Sequence, residues 1–124
     1  MGVVFTGQNG PLVRNLDVVD LGTVTANTVI DFRAGSDLTV TLGANVTLTL
    51  RFPGDSPGGG FRLKVVQGAG APFTPTFAFG GGPILAPAGA LGAFSAVAGE
   101  ADALTFVDRR TEVWAFKSDG LAAI

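Results

Sequence analysis

From Thr28 to Phe52 the apolar residues keep one parity: Ile30, Phe32, Leu38, Val40, Leu42, Val46, Leu48, Leu50 and Phe52 stand at even positions. Thr39, Thr41, Thr47, Thr49 and Arg51 fill odd ones. A period of two belongs to extended chain, whose successive side chains point to opposite faces, so the stretch predicts strands. Parity also constrains the turn. If Leu42 faces Val46 across a hairpin, same-face residues pair at a constant even sum, which a loop of Gly43, Ala44 and Asn45 satisfies and a two-residue loop does not. Asn45 suits the left-handed backbone position that such loops often need.

A chain of 124 residues is most simply one domain with one core. Its residues are 47% hydrophobic and 15% charged, against about 25% charged in an ordinary soluble domain. So few charges coat a monomer poorly, and the surplus apolar surface predicts an obligate oligomer or a component of a larger assembly. The alternative is a monomer with scattered apolar surface. With a net charge of −2 and no basic cluster longer than Arg109-Arg110, nucleic acid is not an expected partner. Cysteine is absent, which excludes disulfides and thiolate metal sites. The start, MGVVFTGQNG, lacks the basic segment of a secretory signal; it fits the N-myristoylation pattern, a match too short to carry weight. The apolar stretch from Pro83 to Ala103 is broken by Pro87, Gly89, Gly92, Gly99, Glu100 and Asp102, so no membrane association is expected.

Residues 1–21 read as an N-terminal arm ahead of a domain over 22–124. Gln8-Asn9-Gly10-Pro11 is a turn signal, and Leu12 to Leu21 mixes apolar and polar residues without a period. Such an arm is either a strand added to a neighbour's sheet or a frayed terminus. After the first hairpin, Pro53 to Gly60 is a loop, and Phe61 to Gln67 a strand with Phe61, Leu63 and Val65 on one face and Arg62 and Lys64 on a solvated one. Phe73, Phe77 and Phe79 share the face of another strand, and Pro75 within it argues for a sheet edge. Those rings pack either on another subunit or in the chain's own core. Gly80 to Ala101 reads as mostly irregular, with a short strand around Phe94 to Val97. In a last hairpin, Leu104 and Phe106 face Trp114 and Phe116 around Arg109-Arg110, with Trp114 a core or interface anchor. The fold class expected is all-β, a small antiparallel β-sandwich or barrel.

Chemistry is poorly provided for. The chain has no histidine, cysteine or tyrosine, the commonest bases, nucleophiles and metal ligands. The carboxylate pairs Asp31 with Asp37 and Asp102 with Asp108 could in principle serve glycoside hydrolysis, but read better as turn-flanking, exposed positions. Asp17, Asp20 and Asp55 lack the alternating pattern of a calcium loop, and the glycine clusters at Gly58 to Gly60 and Gly80 to Gly82 lack the Lys-Ser/Thr of a phosphate loop. The expectation is a non-enzyme with no catalytic residues, cofactor or metal.

From about Val24 to Gly120 the chain resembles a module of bacteriophage virion proteins, often found at the ends of tail fibres. The matching residues are Ile30-Asp31, the Leu38 to Leu50 stretch with Asn45-Val46-Thr47-Leu48-Thr49, Phe61 to Gln67, Thr74 to Phe79, Gly82-Pro83, and Ala103-Leu104-Thr105-Phe106 with Trp114 and Phe116. Between Thr74 and Phe79 the family's usual tryptophan is missing. The resemblance implies a trimeric, non-catalytic structural protein of a virus particle. Without a fibre shaft, the chain looks like a capsid decoration (cement) protein on the outer capsid surface that clamps neighbouring major capsid subunits at three-fold positions. Under that reading Phe73, Phe77, Phe79 and Trp114 form the trimer interface, and Phe5, Leu12, Arg14, Asp55, Arg109 and Arg110 touch the shell. The alternative it implies is a tail-fibre tip or adsorption protein that binds the host surface, for which one tryptophan and no tyrosine are poor stock for carbohydrate stacking.

Overall fold

The structure, a computed structural model, describes residues 18–54 and 58–124. Among these residues nine strands follow one another: β1 (Val18–Val24), β2 (Thr28–Asp31), β3 (Asp37–Leu42), β4 (Thr47–Arg51), β5 (Gly60–Gln67), β6 (Thr76–Phe79), β7 (Ile84–Leu85), β8 (Ala101–Asp108) and β9 (Val113–Leu121). Among the described residues the only helical piece is a short 3-10 turn, Pro87–Gly89. The chain is all-β, as its periodicity predicts.

The pairing differs from the antiparallel expectation. The first six strands alternate between two sheets: β1, β3 and β5 lie side by side in one and β2, β4 and β6 in the other, all parallel. The chain therefore winds as a flattened coil, each turn contributing one strand to each sheet. Only β5–β8 and β8–β9 are antiparallel, and they extend the first sheet to the order β1-β3-β5-β8-β9-β7. Neither sheet closes into a barrel, since both keep unpaired outer strands.

Gly43, Ala44 and Asn45 do connect β3 to β4, but as an arch between sheets and not as a hairpin. Parity is satisfied either way. In a hairpin the even residues share one face of one sheet; in an arch they face each other across the core. Ile30, Phe32, Leu38, Val40, Leu42, Val46, Leu48 and Leu50 are all buried in a single cluster. The arch is favoured by its stacking on the coil turns above and below it. Gly43 N donates to Val24 O at 2.8 Å and Gly68 N to Leu42 O at 3.0 Å. A Cβ on Gly68 would lie 2.4 Å from Leu42 O, and one on Gly43 2.9 Å from Thr25 Cγ2, so only glycine permits this approach. Two asparagines staple successive turns: Asn27 Oδ1 accepts from Thr47 N at 2.9 Å, and Asn45 Oδ1 from Thr74 N at 2.8 Å.

A chain without cysteine makes the pairing testable. Val29 and Thr49 are neighbours in the parallel pair β2–β4, on its outer face. Their Cα separation is set by the strand spacing of about 4.8 Å, within the range a disulfide spans. Oxidation of the double variant Val29→Cys/Thr49→Cys is expected to give an intramolecular disulfide by mass spectrometry. Thr41→Cys/Thr47→Cys, which a hairpin would bring together, is expected to remain reduced. The reverse pattern would refute the coil.

The last hairpin exists, in a register one residue away from the expectation. Phe106 pairs with Ala115 and Val107 with Trp114. Leu104, Phe106, Val113 and Ala115 therefore point into the core, and Trp114 and Phe116 to the outer face. Four loop residues, not two or three, separate Asp108 from Val113, with Arg110 in the left-handed region at φ 68°. The region around Phe94 to Val97 forms no strand, because the Ser95 amide is taken by the Asp102 carboxylate.

Candidate functional site

Asp31 and Asp37 flank a turn of the coil, as expected, and each has a cationic partner. Arg33 grips Asp31 with both carboxylate oxygens, at 3.0 Å and 2.8 Å, and Arg62 lies 3.0 Å from Asp37. The hydrogen bond from the Arg33 side chain, helped by its backbone N–H, holds the Asp31 carboxyl below its ordinary value. A depressed folded-state pKa contributes stability that is present above the unfolded value and lost as pH falls through the folded one. In an NMR titration Arg33→Ala is expected to raise the Asp31 midpoint toward that of a free aspartate; an unchanged midpoint would mean the pair is not formed in solution.

Asp102 and Asp108, in contrast to the exposed positions expected, are both buried. They stand six residues apart along β8, about 20 Å, too far to act on one bond. Each holds backbone instead. Asp102 accepts from Ser95 N at 2.8 Å, Ser95 Oγ at 3.0 Å and Gly120 N at 3.2 Å, while Asp108 accepts from Arg110 N at 2.9 Å. Among the described residues no group of three or more carboxylates, histidines or cysteines is gathered as a metal site would require. Among the described residues no helix is long and apolar enough to cross a membrane.

The four residues nominated for a trimer interface fall on different surfaces. Phe77 and Phe79 turn inward, their ring centroids 5.7 Å from Phe106 and 5.7 Å from Phe52. Phe73 packs beside the same core, its backbone gripped by the buried Gln67 amide through bonds of 2.7 and 2.9 Å. Trp114 lies on the outer face of the larger sheet, its indole N–H donating to Glu112 at 2.6 Å and its ring covered by the Arg109 guanidinium at 4.5 Å. β6 is an edge strand, as Pro75 predicts.

Of the residues nominated for shell contact, Phe5, Leu12, Arg14 and Asp55 lie outside the described residues. Arg109 and Arg110 are exposed on the β8–β9 turn. The described end of the glycine-rich loop lies against that turn, Gly58 N donating to Asp108 O and Asp108 N to Gly59 O at 3.1 Å. Val18, where the arm joins the domain, is at the same end of the larger sheet, since β1, β3 and β5 run parallel and start there. Residues 18–21 of the arm are themselves part of β1.

At the opposite end the two sheets leave a seam open. Between the outer edge of β6 and the segment 84–94 runs a groove of about 440 Å³, lined by Thr74, Thr76, Phe77, Ile84, Leu91 and Phe94 among others, none of them charged. Sequence reading missed this feature because the segment that walls it has no periodicity. The wall is held by Lys117, whose nearly buried ammonium donates to Ala93 O at 2.8 Å, contacts Asp119 and sits 5.1 Å from the Phe94 ring. Compared with protein-family models, curated proteins and solved structures, the chain gives no match. What the surface offers is loops, sheet edges and an uncharged groove, while Asp31, Asp37, Asp102 and Asp108 are engaged in holding backbone or an arginine.

Proposed function

We propose that this chain is a non-enzymatic structural protein of a virus particle: a trimeric decoration protein that sits on the outer capsid surface and clamps neighbouring major capsid subunits at three-fold positions. The observation that carries the reading is that the arm junction at Val18, the described end of the glycine-rich loop and the Arg109-Arg110 turn all lie at one end of the larger sheet. These are the elements nominated for shell contact. A single attachment face is what a clamp needs, and two exposed arginines give it a handle for the acidic groups of a partner. Scarcity of charge and unpaired sheet edges favour life within an assembly over life as a free monomer. The virion setting comes from the resemblance of the strand order and spacing to the phage module.

The test is occupancy. Purified particles are expected to carry the protein in hundreds of copies, and a handful would move it to the tail. Deleting residues 1–17, which leaves β1 whole, or the double substitution Arg109→Ala/Arg110→Ala is expected to lower occupancy without unfolding the domain. Full occupancy in both variants would overturn the attachment face.

A further inference from the structure

The groove between β6 and the 84–94 segment has a backbone edge as well as an apolar floor. Thr76 N donates to Val46 O at 2.9 Å, which sets the phase of the β4–β6 ladder. In a parallel ladder alternate residues turn their N–H and C=O to the same neighbour. Thr76 and Ala78 therefore face β4, and Phe77 presents its N–H and C=O to the groove. Among the described residues β6 has no second strand neighbour. An uncharged groove with one open donor and acceptor calls for an extended, uncharged segment with aliphatic side chains.

The same chain carries such a segment. Ala122, Ala123 and Ile124 follow the end of β9, whose last residue, Leu121, pairs with Ala101; the three bear no charged side chain and are exposed. Its position also fits. β8 runs antiparallel to β5 and β9 antiparallel to β8, so β9 ends at the same end of the molecule where β6 begins and the groove opens. The N-terminal arm leaves from the opposite end. A donor and an acceptor on different surfaces of one subunit make a head-to-tail contact, which forms a ring where the rotation between subunits closes.

We propose that the groove receives Ala122–Ile124 of a second copy, which adds to β6 at Phe77 as a short strand and drops the Ile124 side chain between Ile84, Leu91 and Phe94. The inference rests on the self-association proposed above and names the surfaces that would make it. It also leaves the Val18 and Arg109 ends of all subunits on one side of the ring, free to meet a shell.

Complementation tests it. Leu91→Asp places a charge in the groove, Ala90→Trp fills it from its exposed wall, and a chain ending at Leu121 keeps β9 whole but lacks the insert. Each alone is expected to dissociate at least about tenfold more readily than the wild type in sedimentation velocity, the scale of losing one buried aliphatic side chain. An equimolar mixture of the truncated chain with Leu91→Asp is expected to give a one-to-one dimer, since one partner retains a groove and the other an insert. Circular dichroism checks that each variant is folded, and Ala90→Trp replaces Leu91→Asp if the latter is not. Folded variants that assemble as the wild type does, or a mixture that stays monomeric, would overturn the groove assignment. A wild-type chain that is itself monomeric at micromolar concentration would instead remove the trimer on which it rests.

Discussion

Replacing Phe106 by alanine is expected to destabilise the domain by about 3–5 kcal/mol, the cost of removing a fully buried phenylalanine that its surroundings cannot close over. Phe106 has no exposed surface and belongs to the larger sheet, yet its ring lies 6.1 Å from Phe32 and 5.7 Å from Phe77, residues of the coil's other side. Few positions join the two layers so directly. Phe32 in turn stacks on Phe52 at 5.2 Å with the rings 4° from parallel, and Phe52 meets Phe79 edge-on, so the cavity would open beside a chain of aromatic contacts. A domain of this size has a total stability of about 5–15 kcal/mol, so the variant is expected to lose a large part of it and to melt well over 10 °C lower. Urea unfolding followed through Trp114, the chain's one tryptophan, measures the change. Val29→Ala, on the outer face of β2, serves as a control with an effect within about 0.5 kcal/mol. A Phe106→Ala loss under about 1 kcal/mol would mean that the sheets do not pack through this ring.

Which residues face the core was legible in the sequence; which strands pair was not. The parity of Thr28 to Phe52 places Ile30, Leu38, Val40, Leu42, Leu48 and Leu50 inside correctly, because alternation reports the face and nothing more. A hairpin and an arch bury the same side chains. The signal that separates them was present and weak: Val24-Thr25-Ala26-Asn27 and Leu42-Gly43-Ala44-Asn45 are corresponding turns of successive coils, 18 residues apart by the Val24↔Leu42 pairing. A repeat of that length occurring twice is easily taken for coincidence, and it is blurred by the longer third turn, where Asp37 pairs with Arg62 and Thr47 with Thr76. The register of the last hairpin was misplaced because Trp114 and Phe116 are the more hydrophobic choice for a core that in fact takes Val113 and Ala115. Volume decides there. Opposite the packed rings of Phe32, Phe61 and Phe106 only small side chains fit, and Trp114 covers more surface lying outside under Arg109. The exposure of Arg109 and Arg110 was legible because a turn leaves charged side chains nowhere else to go. The groove was not, since it arises where two sheets fail to meet.

Substituting Asp102 by alanine is expected to cost about 3 kcal/mol, and to do so locally before it does so globally. Its carboxylate has no exposed surface and accepts three hydrogen bonds, two from Ser95 and one from Gly120. Alanine leaves the two Ser95 donors facing a small void and takes from Gly120 N one of its two acceptors, the other being Ser95 Oγ at 3.1 Å; each buried donor left without a partner costs about 1–3 kcal/mol unless water reaches it. Gly120 and Ser95 border the surface, so water offsets part of the loss and the lower half of the summed range applies. The register shift between Ala101 and Ala103 opposite Leu121 and Ser118 explains why an acid is needed: the β8–β9 ladder breaks there, and Asp102 takes the amide that the ladder leaves open. Hydrogen exchange reads the effect, with the Ser95 and Gly120 amides expected to lose protection while those of β3, β4 and β5 keep theirs. Asp102→Asn restores an acceptor for one partner but points an amide N–H₂ at another donor, so it is expected to fall between wild type and alanine. Ser95 stands next to Phe94 in the wall of the groove, and Gly120 lies near the end of β9, two residues before the segment proposed to fill it. Loosening Asp102 therefore frees both halves of the contact at once, and self-association is expected to weaken in step with the exchange of these two amides. Protection of Ser95 and Gly120 unchanged in Asp102→Ala would show that the carboxylate does not hold them.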